Sequence, residues 1–405
     1  MSGDIPALEL TTRGTSDAKR VDFESISISS DWGKLFANGT AIISPDTSWS
    51  FDFELSDLDP AVANQRLSGN LEVAGQTSGR IANQQPFADV RIDNVAGNFN
   101  GYPVGGNGLL SYANERFQLD AAVIRIGDNQ LDFDGWYGEQ LRIDAAPHFQ
   151  DISQFGIGAS GRLNGEIRLL SDLKTVEASG SLNGENLAFE NYAASEFSAE
   201  FDLPARGTGN ALLQVTDAHI DDLVLATGRL SASGSTEAHV LQADFSFEDL
   251  SGNVQLRGGI SDDTWSGAVQ ELALRGDRLG EWTLREGADV SVSRSALNVE
   301  NACLITASNT GIACAMLDYA FLGPLRFDVS VSELPLAAFP VNLPEGATVE
   351  GAITAQASGD YANQRLTANA TLDVHEMALR AIFEGDEVAA RFERAFAHAS
   401  IVDNR

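Results

Sequence analysis

Lysine is scarce in this chain of 405 residues, which holds only Lys19, Lys34 and Lys174. In total, 26 basic side chains face 58 acidic ones, and the formal net charge is -32. Binding to nucleic acid and docking on an anionic membrane surface both depend on Lys and Arg that neutralise phosphate charge. The composition therefore disfavours both partners, and any contact with lipid is expected to be apolar.

Long apolar segments are also missing. No window approaches the ~20 apolar residues that a membrane-spanning helix needs. Residues 1–20 lack the basic region and continuous apolar stretch of a signal peptide. The chain begins and ends inside strand-like patterns, and we expect it to be a piece of a longer protein.

Cysteine occurs only twice, as Cys303 and Cys314 on either side of a turn-rich stretch that contains Gly311. A disulfide across a hairpin is favoured, and closing so short a loop stabilises a protein by roughly 2 to 3 kcal/mol in an oxidising compartment. Reduced thiols packed as small apolar groups are the alternative.

Apolar and polar residues alternate over five to nine positions almost everywhere, and Gly, Asn, Asp or Ser then interrupts the pattern. This is typical of half-buried strands joined by turns. Because side chains alternate with a period of two, the pattern predicts a sheet with one apolar and one polar face, of about 25 to 30 strands. The residues predicted to line the apolar face are Leu71, Val73, Leu119, Val123, Leu163, Ile167, Leu169, Phe245, Phe247, Phe327, Val329, Val331 and Ile353.

Short internal repeats support a stack of hairpin units. The sequence ANQRL occurs at 63–67 and 362–366, and GRLNGE at 161–166 returns as GSLNGE at 180–185. The prolines clustered between Pro324 and Pro344 predict a short helix or an irregular crossover. Residues 387–399 place Val388, Phe392 and Phe396 at helical spacing, although strand pairing can override such a pattern.

Motifs for catalysis are absent from the sequence, so we predict no enzyme, cofactor or metal site. The histidines lie singly, without zinc-type spacing, and each is interpreted as a solvated strand or turn residue. The segment GDNQLDFDG at 127–135 carries oxygen ligands, but its alternation favours a strand with aspartates in water over a calcium site. The five histidines are His148, His219, His239, His375 and His398.

The stretch from Glu281 to Gly359 resembles the TamB family of AsmA-like proteins. EWTLREGADVSVSRSALNVENACLITASNTGIACAM is similar to the family's W-x-L strand, hydrophobic strand and paired cysteines, and a later L/V-x-G-x-L/I strand is matched by Val349, Gly351 and Ile353. The repeats at 161–185 are similar to the family's repeated unit. The positions matched in the first stretch are Trp282, Leu284, Val290, Val292, Cys303, Leu304 and Cys314.

The resemblance implies an elongated all-β fold, in which a curled, taco-like sheet of hairpin units encloses an apolar groove. It implies a periplasmic protein, anchored in the inner membrane by a segment outside this chain, that transports phospholipid between the membranes. It also implies support of autotransporter assembly with an outer-membrane barrel partner of the TamA type, contacted through other regions. Residues 1–280 are expected to form a repeated groove segment and residues 281–405 an incomplete C-terminal one.

Three other interpretations use the same alternation. In a β-sandwich or solenoid scaffold or adhesin, the apolar face is a packed core with no room for lipid. An outer-membrane barrel should be rich in Tyr and Trp, whereas here 21 Phe outnumber 6 Tyr and 5 Trp. A β-helix enzyme acting on carbohydrate should show a localised cluster of acids, and none stands out.

Overall fold

A computed structural model describes residues 8–62, 64, 67–221, 223–276, 280–307, 310–321, 323–336, 347–363, 365–383 and 386–404. Strands dominate throughout, and they belong to one 26-stranded sheet. The all-β class predicted from the alternation is confirmed. The chain forms two compact units, which we call unit 1 (Met1–Ala205 with Leu213–Leu223) and unit 2 (Arg206–Leu212 with Val224–Arg405).

Unit 1 is built from thirteen strands and shares a fourteenth, β14, with unit 2. The strands are β1 (Glu9–Ser16), β2 (Arg20–Ser30), β3 (Gly33–Ile42), β4 (Thr47–Leu58), β5 (Gly69–Ala82), β6 (Gln85–Phe99), β7 (Tyr102–Ala113), β8 (Arg116–Ile126), β9 (Asn129–Tyr137), β10 (Leu141–Phe149), β11 (Ala159–Ser171), β12 (Val176–Phe189), β13 (Tyr192–Leu203) and β14 (Gly209–Ile220).

Unit 2 continues the same pattern to the last described residue. Its strands are β15 (Leu223–Gly234), β16 (His239–Phe247), β17 (Leu250–Ser261), β18 (Thr264–Gly276), β19 (Gly280–Leu284), β20 (Ala288–Val292), β21 (Ala296–Thr306), β22 (Ile312–Ala320), β23 (Leu325–Pro335), β24 (Thr348–Ala362), β25 (Arg365–Phe383) and β26 (Asp386–Asn404).

Antiparallel pairing between consecutive strands is the rule in both units. The exception is in unit 2, where β19 and β20 lie end to end and together fill one position between β18 and β21. Arg285 in the break still donates its backbone N–H to the carbonyl of Cys303 at 2.8 Å. Residue 280, the boundary predicted from the sequence, is the first residue of β19.

Two-residue turns join many of these strands. Asn100 and Gly101 have φ of 51° and 86°, and Asp262 and Asp263 have φ of 49° and 61°. Positive φ at both central positions is the signature of the type I′ turn, whose twist matches that of the strands on either side. Asn, Asp and Gly tolerate this conformation best, so the polar interruptions in the sequence become tight hairpins.

Two short 3-10 helices, Pro60–Val62 and Ile152–Phe155, lie in longer connections of unit 1. The second is held by a buried polar cluster. Asn129 donates from Nδ2 to the Asp151 carbonyl at 2.8 Å and to Oε1 of Gln154 at 3.0 Å. Asn100, in the β6–β7 turn, donates to the carbonyl of Phe155 at 3.0 Å. The connection between β10 and β11 therefore reaches back across the ends of β9 and β8 to the β6–β7 turn.

Of the two readings left open for residues 387–399, the structure shows the strand. Residues 387–399 lie inside strand β26, not in a helix, because β26 pairs with β25 along nearly its whole length. Backbone pairing over so many residues overrides a weak local period. In the proline cluster, Pro324 precedes β23 and Pro335 ends it, whereas Pro340 and Pro344 lie outside the described residues.

Candidate functional site: an apolar face that no second layer covers

The register of the ladders determines which residues share a face, because directly paired residues in antiparallel strands point to the same side. In unit 1, Leu71 pairs with Gly97, and Val73 pairs with Leu55 and Val95. Leu119 pairs with Leu110 and Gly135. Small or apolar partners are also found for the other predicted residues on this side, which are Leu71, Val73, Leu163, Ile167 and Leu169. We call this side the apolar face of unit 1.

Val123 is the exception among the predicted residues. It pairs with Asn107 and Asp132, so it lies on the polar face, opposite to Leu119 on the same strand. Ala121 between them has a φ of 50°, and the ladders to both neighbouring strands shift register there. A bulge of this kind adds one residue and inverts the alternation beyond it. Ala122 and Ile124 take the apolar positions instead.

Unit 2 has an apolar face of the same kind. Phe245 pairs with Gly228 and Gly252, and Phe247 pairs with Leu225. Further along, Phe327, Val329 and Val331 pair with Leu317, Ala315 and Ala313 on β22 and with Gly359, Ala357 and Ala355 on β24. Ile353 pairs with Leu334 and Val374. The six predicted residues of unit 2 are therefore brought to one side of its ladder.

These faces are not packed as cores. The extensive contacts among the described elements are between hydrogen-bonded neighbours, with smaller ones to the 3-10 helices, so no second layer rests on the sheet. Large side chains of the apolar faces stay open to solvent, and Phe117 is 46% exposed, Leu372 39% and Val329 40%. A sandwich core would bury such residues. The apolar side chains buried among the described residues are Ala37, Ala122, Ile152, Ala218, Trp282, Ala288, Ile353 and Val374.

Glycines on the apolar face let aromatic rings lie down against the sheet. A Cβ added to Gly79 would stand 2.1 Å from Cζ2 of Trp49, and one added to Gly258 would stand 2.6 Å from Cζ2 of Trp265. The same relation holds between Gly359 and Phe327, at 3.0 Å. Each ring thus lies over a glycine of the neighbouring strand, where a larger residue would leave no room for the ring. This arrangement keeps bulky rings close to the floor of the face.

The clearest hollow on the unit 2 face is an open trough of about 390 Å³ across β23 to β26. Its floor is made of alanines on β24, β25 and β26, with valines on β23 and Leu372 on β25 as the larger groups. Small side chains leave depth here that Leu or Phe would fill. The residues of this trough that belong to the apolar face are Val329, Val331, Ala355, Ala357, Ala370, Leu372, Ala397 and Ala399.

His239 is a polar residue on the apolar face of unit 2, and both of its ring nitrogens have partners inside the protein. His239, at the start of β16, accepts a hydrogen bond at Nε2 from Nε1 of Trp265 at 2.8 Å, and its Nδ1 lies 3.0 Å from the Ser235 carbonyl. Since Nε2 accepts from the indole, the hydrogen on Nδ1 donates to the Ser235 carbonyl. The expectation of a solvated histidine is wrong at this position, because its strand turns the ring towards the apolar side.

The polar faces carry ion pairs between neighbouring strands. Asp144 on β10 accepts hydrogen bonds from Nε of Arg142 at 2.6 Å and from Nε of Arg168 on β11. The Arg142 hydrogen bond, with a smaller one from Arg168, holds the pKa of Asp144 below its ordinary value. In unit 2 the hydrogen bond from Arg394 likewise lowers the pKa of Asp373. These carboxylates stay ionised and keep the polar face wetted.

Cys303 and Cys314 pair directly across β21 and β22 and form a disulfide with a Cα–Cα distance of 4.0 Å. Their neighbours Ala302 and Leu304 pair with Ala315 and Ala313, which belong to the apolar face. The disulfide therefore lies on the polar face, where it staples a hairpin without occupying the trough.

No group of three or more His, Cys, Asp or Glu residues able to hold a metal ion occurs in the described part of the chain. In the segment considered for calcium, Asn129 is buried on the side of the apolar face, whereas Asp132 receives hydrogen bonds from Gln130 on the polar face. The oxygens therefore point apart. Within the described ranges, no helix is long and apolar enough to cross a membrane.

Two features escaped the sequence analysis. The buried pair Asn129 and Gln154 consists of ordinary turn residues whose partners are 22 to 26 positions away. The pair of His239 and Trp265 joins residues 26 positions apart. The alternation places His239 in phase with Leu241, which is the one local signal that it faces the apolar side.

An antiparallel β-sheet of one layer, with an apolar face that the described residues leave open, is the class of protein that these units define. Within that class, the chain belongs to the TamB family. The family's sequence model described as "TamB, N-terminal domain" matches residues 2–405. The resemblance seen in residues 281–359 thus extends over essentially the whole chain.

Proposed function

We propose that this chain is a segment of a periplasmic conduit that carries phospholipid between the inner and the outer membrane, with the acyl chains on the apolar faces. One observation carries the proposal: each unit has an apolar face, but the described residues put no second layer on it. An exposed apolar surface of several hundred Å² normally marks a site that binds lipid or protein. The proposed role is transport, without a chemical reaction.

The energetics favour an acyl chain as the occupant. Burial of apolar area is worth about 25 cal/mol per Å², so a methylene chain lying on such a face recovers much of the cost of exposing it to water. The interaction needs no hydrogen bond, and His239 on the face already has its partner in Trp265. An acyl chain is therefore free to slide from one strand to the next. The trough across β23 to β26 offers depth for it.

The family supplies the setting. We propose that the full-length protein is anchored in the inner membrane and meets an outer-membrane barrel partner of the TamA type through regions outside this chain. The disulfide between Cys303 and Cys314 suits the oxidising periplasm. A role in assembly of autotransporters or other outer-membrane proteins belongs to the same proposal, with nascent polypeptide as the second kind of client.

Photocrosslinking distinguishes the two clients. A photoreactive residue in place of Phe245 or Phe327 reports on the apolar face of unit 2, and one in place of Ser246 or Asp328 reports on the polar face of the same strands. Lipid adducts at the first two positions and none at the other two support a lipid conduit. Adducts only to polypeptide at Phe245 and Phe327 would replace transport by an assembly role.

A matched pair of substitutions tests whether the apolar face is needed. Leu169 pairs with Ile143 and Ala178 on the apolar face, whereas the adjacent Leu170 pairs with Arg142 and Glu177 on the polar face. In the full-length protein, Leu169→Asp should reduce phospholipid transfer, because it places a charge in the lipid path, whereas Leu170→Asp should not. Equal transfer by the two variants, both folded, would contradict the proposal.

A further inference from the structure

A second hollow lies in unit 1, at the ends of the strands and not on the sheet face. The β7–β8 turn, the β9–β10 turn and the start of the β11–β12 connection enclose an open cleft of about 700 Å³. We call it the margin cleft. Its lining combines aromatic rings, one guanidinium and three carboxylates, a mixture that the trough of unit 2 lacks.

The margin cleft is where the two faces of unit 1 meet. Phe117 and Tyr137 pair with each other, and Phe117 also pairs with Tyr112, so these three rings end the apolar face at this margin. The rings of Tyr112 and Phe117 have centroids 4.7 Å apart. Tyr is the residue that combines an apolar body with a wet polar tip at such a boundary. Leu119 continues the apolar face inward from Phe117.

Arg116 is the one cation among the described lining residues of the margin cleft. Its guanidinium carbon lies 4.1 Å from the centroid of the Trp136 ring, a stacked arrangement that presents its N–H groups at the edge. A guanidinium held in this way suits phosphate oxygens, which it binds through two parallel hydrogen bonds.

Three carboxylates, Glu115, Glu139 and Asp172, line the same cleft. Asp172 accepts hydrogen bonds from the backbone N–H groups of Thr175 at 2.7 Å and Lys174 at 3.0 Å. The Thr175 bond, followed by the Lys174 bond, lowers the pKa of Asp172, so its charge persists. One cation beside three anions repels a ligand that carries only negative charge and favours one that also carries an ammonium group.

The geometry points to a headgroup site: we propose that the margin cleft binds zwitterionic phospholipids with a free ammonium group, and so sets which lipid enters the groove. The phosphate lies on Arg116, the ammonium lies among Glu115, Glu139 and Asp172, and the acyl chains pass over Phe117 onto the apolar face. The inference rests on the proposed lipid function and adds selectivity and orientation to it.

The opposite ends of the same strands offer no such site. There the β6–β7 turn, the β8–β9 turn and the β10–β11 connection carry no Lys, Arg or His in residues 100–101, 127–128 and 150–158. The connection between β10 and β11 lies across these ends, held by the buried Asn129 and Gln154. These three segments therefore carry no cation of their own, whereas the lining of the margin cleft includes Arg116.

The test measures which phospholipid the full 405-residue chain retains. The protein is incubated with vesicles of equimolar phosphatidylethanolamine and phosphatidylglycerol with identical acyl chains, separated from them, and analysed by native mass spectrometry. We expect phosphatidylethanolamine to be enriched about threefold, in line with a few exposed ion pairs. The variant Glu115→Gln, Glu139→Gln, Asp172→Asn should bring the ratio to that of the vesicles without lowering total lipid.

A matched control removes the same number of charges elsewhere in unit 1. The variant Asp31→Asn, Asp59→Asn, Glu190→Gln changes exposed carboxylates at the opposite strand ends and should keep the enrichment. If lipid is retained but the cleft variant and the control give the same ratio, the headgroup site is refuted and the conduit stands. If no variant and no wild-type protein retains lipid, both the headgroup site and the proposed function fail.

Discussion

A charge placed in the unit 2 trough should block lipid there and leave the empty protein folded. Leu372 lies on β25 between Ala355 and Ala397 and is 39% exposed, so somewhat more than half of it is covered. Full burial of Leu is worth about 1.5 to 3 kcal/mol, so Leu372→Asp should cost about 1 to 2 kcal/mol of the free energy of unfolding. In the empty trough the carboxylate faces water and adds no desolvation cost.

An acyl chain over residue 372 changes this balance. Covering the new carboxylate removes it from water, which costs several kcal/mol per ion. With a cost of about 3 kcal/mol, local occupancy by an acyl chain should fall about a hundredfold. The assay uses a phospholipid with a diazirine in its acyl chain, and mass spectrometry maps the adducts on β23 to β26. Adducts on unit 1 serve as the internal reference.

Two control variants isolate the effect. Thr371→Asp adds the same charge at the adjacent position, where the side chain pairs with Gln356 and His398 on the polar face, and it should leave the adducts unchanged. Leu372→Ala removes the leucine without adding charge and should lower the adducts only slightly. Equal adduct yields in Leu372→Asp and Thr371→Asp would refute the idea that lipid occupies the trough.

The other predictions concern stability, measured by thermal unfolding. Gly79→Ala should lower the free energy of unfolding by about 1 to 3 kcal/mol, because the added Cβ would overlap the Trp49 indole and the Phe87 carbonyl. Gly105→Ala should not, because the nearest atom to its added Cβ is Cβ of Arg125 at 4.0 Å. The pKa of Asp144 is lower in the folded than in the unfolded protein, so ionised Asp144 stabilises the fold above its unfolded-state pKa of about 4. This contribution is lost as the pH falls through the folded-state pKa. In Asp144→Asn, the free energy of unfolding should therefore depend less on pH below about pH 4. Replacing Cys303 and Cys314 by Ala should cost about 2 to 3 kcal/mol for a loop of this length, with lipid retention unchanged because the disulfide lies on the polar face.

The strands were predictable because their signal is local. In a strand, side chains point alternately to the two faces, so the pattern of apolar residues shows which face each side chain lies on. Leu169 and Phe245 are in phase with the other apolar residues of their own strands. Turn residues with a preference for positive φ then mark the hairpins, as at Asn100 and Asp262. Pairing of consecutive strands follows, since short turns leave no other partner within reach.

Phase errors arose where the backbone departs from the period. Alternation with Leu119 predicts that Val123 lies on the apolar face, but the bulge at Ala121 inverts the alternation, and an alanine in the sequence does not indicate a bulge. Residues 387–399 resemble a helix locally and form β26 because β25 supplies a long ladder. In both cases, contacts with another strand outweigh the preference of the segment itself.

The sequence by itself determined the all-β class, the division of each strand into an apolar and a polar side, and membership of a family of envelope proteins. Only the tertiary structure decided that the described residues place no second layer on the apolar faces, that alanines make a trough, and that Arg116, Tyr137 and Asp172 meet at one margin. The physical reason is range. Alternation is a property of residues adjacent in sequence. Whether a face is covered, and where a cleft forms, depends on residues far apart in sequence that strand pairing brings together.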